Sequence, residues 1–266
     1  MTVEPSLPPL EVFPAEPPPA PPTSGAFARD AILDLLAALG CAALVVFVYA
    51  VIAAIAKFSG HANQSGSMLD MLGGPWGIVG LLLATQLPLL YFALRRRRRN
   101  REKQRPLLDL FGATWGNTIP IGLGAGLGLT VLSGIYSLVL QRFLGQGAIP
   151  RQLDFLEEVL NNKPAVAVLI FIIAVLGPIC EEIFFRGSIF GAARASGRTT
   201  TGVIVSATLF ALVHLSPLLF PFYAAFAVIM CWLYAKTKTL AAPIAAHMTM
   251  NGIACLALLL SGGNQV

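Results

Sequence analysis

The chain has 266 residues, of which 56% are hydrophobic and 12% charged, with a mean hydropathy of +0.75. A soluble domain carries roughly 25% charged residues, so this sequence lacks the polar surface to cover a water-facing globule. The net charge of +5 is concentrated in RRRRRNREKQR at 95–105, which directly follows an apolar stretch. It therefore reads as a positive-inside topology anchor with some attraction for anionic lipid, and not as a nucleic-acid site.

Residues 1–30 open with an acidic, proline-rich segment (EPSLPPLEVFPAEPPPAPP) that has no basic stretch followed by an apolar one. They are predicted to form a disordered or polyproline tail that acts as a spacer, not a signal peptide. Crossing the hydrocarbon core takes about 20 apolar residues in a helix. Stretches near 35–56, 76–94, 119–140, 164–190, 202–214, 218–234 and 240–260 meet or approach that length. The predicted fold is an all-α, polytopic transmembrane bundle of about seven spans. Six or eight spans are neighbouring solutions, because the fifth stretch is short and breaks at Pro217.

The third stretch carries Gly122, Gly124, Gly126 and Gly128, a spacing that lets helix backbones approach closely. Its GxGxxG-like text follows no strand, so it is not read as a nucleotide site. A mixed-charge segment follows (Arg142, Arg151, Asp154, Glu157, Glu158, Lys163) and is expected to include an amphipathic interfacial helix. Cys41, Cys180, Cys231 and Cys255 lie in apolar stretches without CxxC spacing and read as small buried hydrophobes. With seven alternating helices, Arg95–Arg105, Arg186, Arg194, Arg198, Lys236 and Lys238 fall on one side. The positive-inside rule then puts the N-terminus in the cytoplasm and the C-terminus outside, with the cell (plasma) membrane as the expected host.

Ionisable residues inside membrane helices cost about 2.5–3.5 kcal/mol each at the centre on insertion scales, and are functional candidates by default. The intramembrane set is Glu181, Glu182, Arg186, His214 and His247, with Asn251 beside them; Asp34 sits at the edge of the first stretch, where an interfacial position explains it. Glu182 and Arg186 stand four apart and can form a structural ion pair on one helix face. Glu181 is turned about 100° away, into a position where a carboxyl in an apolar surround can act as a general acid or base. His214 ends FALVH, while His247 and Asn251, four apart in HMTMN, face the same way. Counted from the nearest basic residues, Glu181, His214 and His247 lie roughly 13–24 Å from the same membrane face at 1.5 Å per residue. They can meet in one polar cavity and activate water for attack on a carbonyl.

EEIFFR at 181–186, FALVH at 210–214 and HMTMN at 247–251 resemble the EExxxR, FxxxH and HxxxN motifs of the CAAX-protease and bacteriocin-processing (CPBP, or Abi) family. These are the type II CAAX prenyl endopeptidases and their bacterial relatives. The resemblance covers about residues 160–260 and implies a helical membrane bundle that hydrolyses peptide bonds. It implies that Glu181 and His214 activate the attacking water, that His247 and Asn251 stabilise the oxyanion, and that Glu182 and Arg186 support the site. The expected organisation is a tail (1–30), N-terminal transmembrane helices with a basic cytoplasmic loop at 95–105 (31–150), and a catalytic transmembrane core (151–266).

The sequence has no HExxH. A glutamate–histidine site needs no metal, and no cofactor is expected. A divalent metal such as zinc is the alternative, with Glu181, His214 and His247 as its three protein ligands. The expected partners are the lipid bilayer and a membrane-anchored or lipidated, prenylated (CAAX-type) peptide or protein substrate, with no nucleic acid. Two other functions stay open: a non-proteolytic scaffold or immunity protein of the same fold, and a proton-coupled transporter. No internal repeat between the halves favours the transporter.

Overall fold

The computed structural model describes residues 24–58, 74–99, 115–145 and 162–262. Residues 1–23 of the expected tail, the polar loop after the first span, residues 100–105 of the basic loop and residues 146–161 of the mixed-charge segment lie outside the described residues, while residues 24–30, expected in the tail, form the first turns of α1. The described residues are helical without strands, in seven helices: α1 (Ser24–Phe58), α2 (Pro75–Arg99), α3 (Trp115–Leu144), α4 (Lys163–Ala195), α5 (Thr199–Val213), α6 (Phe220–Thr237) and α7 (Ala241–Gly262). The expected all-α bundle is thus what the chain forms. Segments of α2, α3, α4, α6 and α7 are long and apolar enough to cross a membrane, while α5 is a shorter apolar helix of 15 residues.

Short connections fold the C-terminal half back on itself. Asn162 caps α4 by accepting from Ala165 N–H at 3.2 Å, and Pro164 occupies the first turn, where a missing N–H costs nothing. At the other end Gly197 takes a positive φ of 74°. Gly197 N–H reaches Arg194 O and Arg198 N–H reaches Ala193 O, a Schellman closure that turns the chain directly into α5. After α5 the chain turns through 214–219, with Leu215 left-handed at φ 50° and Pro217 between the helices. Tyr136 on α3 clamps this turn by donating to Leu218 O at 2.8 Å. Lys238, left-handed at φ 59°, ends α6, and Thr239 Oγ1 accepts from Ala241 N–H at 3.2 Å to start α7.

Helix α4 departs from regular α geometry in Ile172–Leu176 and Ile183–Phe190, where backbone bonds shift to i→i−5. Gly177 N–H bonds Ile172 O, and Gly191 N–H bonds Arg186 O. The first shift sits beside Pro178, which has no N–H to give. With Gly177 committed to Ile172 and Pro178 unable to donate, Ile173 O receives neither the i+4 nor the i+5 backbone N–H of its own helix. Such single-turn widenings recur at functional sites.

The main core joins Leu35 of α1, Phe92 of α2, Phe184, Phe185 and Ile189 of α4, Phe210 of α5, Phe226 and Met230 of α6, and Ala246 of α7. A second cluster packs Ile78 and Val79 of α2 on Val166, Leu169 and Ile172 of α4. Asp34 and Arg96 also join α1 to α2: Arg96 Nη1 donates to Asp34 Oδ2 at 2.9 Å, and the arginine side chain is only 8% exposed. The basic run is therefore not purely an anchor, and Asp34 is more than an interfacial charge.

Helix α3 lies along α7, and two of its six glycines, Gly122 and Gly126, make this possible. A Cβ on Gly126 would stand 2.5 Å from Ala246 O and 2.6 Å from Thr249 Cβ; one on Gly122 would strike Ala242 O and Ala245 Cβ. Gly124 and Gly128 have nothing within 4 Å. In lipid, where apolar burial gives helices little reason to associate, such close backbone contact is a main source of packing energy. Gly126→Ala is expected to cost about 1–3 kcal/mol and to lower the thermal midpoint in detergent, whereas Gly124→Ala should be neutral or slightly stabilising.

Candidate active site

Glu181 and Glu182 lie in the six-residue α-helical turn, Gly177–Glu182, between the two widened stretches of α4. Being adjacent, they diverge. Glu182 is fully buried, while the Glu181 side chain keeps 17% of its surface exposed, so any approach from outside reaches Glu181 first.

The Glu182 carboxylate holds the centre together. Its Oε1 accepts from Arg186 Nη1 at 2.9 Å and also from His247 Nδ1 at 2.9 Å. The expected i,i+4 pair is present, but the same oxygen also ties α4 to α7. Sequence reasoning gave Glu182 to Arg186 alone. His247 Nε2 stands 3.9 Å from Glu181 Oε2, beyond hydrogen-bond distance, so His247 bonds Glu182 and merely faces Glu181. With Nδ1–H donating to a carboxylate, Nε2 of His247 carries a proton only when the ring is an imidazolium.

Arg186 is buried to 0% exposure. Its guanidinium carbon lies 4.5 Å from the Phe210 ring centroid, 5.8 Å from Phe226 and 6.0 Å from Phe185. Nε and Nη2 have no protein hydrogen-bond partner among the described residues, and the ring faces supply the remaining electrostatic complement. The phenylalanine of the FALVH motif thus covers the arginine of EEIFFR, and it also lies 4.7 Å from the His214 ring.

His214 follows the last residue of α5. Its Nδ1 donates to Phe210 O at 2.7 Å, satisfying a carbonyl of the final turn and leaving the Nε2 lone pair of the neutral ring free. Tyr223 of α6 stacks on the imidazole with centroids 4.0 Å apart. Glu181, His247 and Arg186 all stand near enough to act electrostatically on this ring. The residues of the three motifs are therefore neighbours, as their depths predicted.

Asn251 differs from its expected use. It shares the His247 face of α7, but Nδ2 donates at 3.0 Å to Ile173 O, the carbonyl orphaned by Pro178. One amide N–H that the sequence reading left available for an oxyanion is therefore engaged, and it docks α7 on the first widened stretch of α4. Ser206 of α5 gives a parallel bond, donating to Phe185 O at 3.1 Å in the second stretch.

Gln86 of α2 was missed altogether. Its Nε2 donates to Glu181 Oε1 at 3.0 Å. The signal was there: one amide in the middle of LLLATQLPLL, where Thr85 is the only other polar side chain and bonds back to Leu82 O. Tyr223 left no comparable signal, because an aromatic in a membrane helix is ordinary. Among the described residues no group of three or more His, Cys, Asp or Glu side chains is disposed to hold a metal ion. Glu181, His214 and His247, the alternative ligand set, are not gathered in that way.

Residues 163–253 match the family described as type II CAAX prenyl endopeptidase Rce1-like. That stretch, about a third of the chain, contains all three motifs, and it is similar to an Rce1-like domain, as the motif resemblance implied. Among curated relatives, YdiL of Bacillus subtilis (strain 168), whose name proposes a membrane peptidase, is 34% identical over 103 residues, covering 39% of this chain and 42% of that one. The membrane-embedded CAAX protease MroQ of Staphylococcus aureus (strain USA300) is 34% identical over 134 residues, covering 48% and 53%. The chain thus spans about half the length of the curated relatives it matches. No solved structure gives a significant match. The apolar helices and the membrane relatives together make this an integral membrane protein.

Breaking a buried ion pair from one side leaves an uncompensated charge, at about 3–5 kcal/mol. Glu182→Ala is expected to lower stability by that order in thermal unfolding. The double variant Glu182→Ala, Arg186→Met should recover much of the loss. Asn251→Leu strands Ile173 O and should cost about 1–3 kcal/mol.

Proposed function

We propose that this protein is an intramembrane endopeptidase that hydrolyses a peptide bond in a membrane-associated substrate, with water activated by Glu181 and His214. One observation carries the reading: the ionisable residues of three separate helices converge, and the only carboxylate of the pair left partly exposed is Glu181. Two carboxylates and one guanidinium leave one negative charge, so the set is neutral when a single proton resides among Glu181, His214 and His247. Such a set can take up a proton and return it.

In the proposed reaction Glu181 removes a proton from water as the water oxygen attacks the peptide carbonyl carbon. The tetrahedral oxyanion forms, the C–N bond breaks, and the proton held by Glu181 passes to the leaving nitrogen. The lone pair on His214 Nε2 suits a second hydrogen bond to the attacking water. His247 can donate to the oxyanion from Nε2 when its ring is an imidazolium, held in orientation by Glu182. Asn251 contributes its second amide N–H and the position of α7. Gly-rich packing of α3 on α7 and the α2–α4 contact make the N-terminal helices (31–150) a brace for the core (151–266).

The Rce1-like domain and the name of the MroQ relative favour a lipidated, CAAX-type substrate over a soluble one. Basic residues at the ends of α2, α4 and α6 and at the start of α5 support a cytoplasmic N-terminus in the cell membrane.

The test is cleavage of lipidated and unlipidated peptide pools by purified protein, with new termini read by mass spectrometry in the presence and absence of a chelator. Wild-type cleavage indifferent to chelator is expected. A general base contributes about 10²–10⁴-fold, so Glu181→Gln and His214→Ala should lose activity on that scale while folding normally. Cleavage retained in Glu181→Gln would sink the assignment. Activity lost to chelator and restored by added metal would replace it with a metal mechanism.

A further inference from the structure

The second helix, outside the stretch that matches the family, brings a polar group to the site. Gln86 is the one side-chain amide of α2, whose Leu82 and Leu83 pack in an apolar layer with Ile172, Ile173 and Leu176 of α4. An amide in that setting is stabilised by the partners it finds within the protein. Its Nε2 donates to Glu181 Oε1 at 3.0 Å, while its Oε1 is buried with no hydrogen-bond partner among the described residues. Gly177 borders the amide: a Cβ there would lie 3.6 Å from Gln86 Cδ and Nε2, so the widened turn of α4 brings a bare backbone to its side.

We infer that Gln86 is a positioning residue for Glu181, so that the machinery extends beyond residues 163–253 into α2. The inference rests on the reading of Glu181 as the general base. An ionised carboxyl has several acceptor sites and a mobile side chain. Fixing Oε1 on α2 leaves Oε2 directed to the side where His247 Nε2 stands at 3.9 Å. The remaining charged and titratable groups about Glu181 are Cys180, Glu182 and Arg186 on its own helix, His214 after α5 and His247 on α7, and Oε1 bonds none of them. An amide also suits both states of a base. It donates to the carboxylate through Nε2, and after a half-turn about its last bond it accepts from the carboxylic acid through the otherwise idle Oε1.

The test uses the full-length protein in detergent, with Gln86→Met (similar length, no donor) and Gln86→Glu (same shape, no amide). Two readouts are taken. Modification of Glu181 by dicyclohexylcarbodiimide, a reagent for carboxyls in apolar surroundings, is located and timed by mass spectrometry, with Glu182 as internal control. It needs no substrate, so it answers even if the protein cleaves nothing. Steady-state kcat and KM are then measured on the peptide cleaved by the wild type. Gln86→Met is expected to change the rate of Glu181 modification several-fold with Glu182 unaffected. It should also lower kcat at least tenfold at unchanged KM, with no further loss in a Glu181→Gln background. Glu181 modification and kcat both within twofold of wild type, with only the thermal midpoint moved, would make Gln86 a helix-docking residue and overturn the inference. If the wild type shows no turnover, the protease reading fails by itself. The labelling then decides alone whether the amide governs the carboxyl.

Discussion

A buried guanidinium in a membrane-spanning bundle has to be neutralised where it stands, and the rest of this molecule is arranged around that requirement. Arg186 is fully buried, and Glu182 Oε1 meets it at 2.9 Å from one turn away. The same oxygen receives His247 from α7, so neutralising the arginine also sets the distance and rotation between two helices. Phe210 and Phe226 close over the guanidinium, and through Phe210 the arrangement reaches His214. One charge pair thus places residues from four helices.

The neighbouring carboxyl is left for chemistry because Glu182 is occupied. Adjacent residues on a helix point about 100° apart. Glu181 therefore turns out of the pair and toward α2, where Gln86 receives it. The two widened stretches of α4 fit the same logic. They bracket the Glu181–Glu182 turn, and the carbonyls of Ile173 and Phe185 within them accept side-chain bonds from Asn251 on α7 and Ser206 on α5. Backbone irregularity is tolerated inside a membrane only where protein re-satisfies it. Here its satisfaction also fastens α4 to both neighbours.

Much of this was legible in the chain. Apolar run lengths set the number and extent of the helices, because a bilayer of fixed thickness demands a fixed rise. The i,i+4 spacing of Glu182 and Arg186 led directly to their ion pair. Glu181, His214 and His247 stood out because ionisable groups are rare at membrane depth, and the three motifs, in order, matched an Rce1-like domain.

What only the tertiary structure decided is the rotational phase of one helix against another. In a soluble protein, hydrophobic periodicity marks the buried face, but here lipid and core are both apolar and every face of a span looks alike. Nothing in the spacing said that Gly122 and Gly126 meet α7 while Gly124 and Gly128 do not. Nor did it say that His247 chooses Glu182 over Glu181, or that an amide in α2 reaches the other carboxyl. Those outcomes depend on contacts between residues 65 and 95 positions apart. The sequence determined which residues lie at the depth where chemistry is possible. The packing of helices determined which of them touch, because in lipid that choice is made by close backbone approach and by the need to satisfy each buried polar atom.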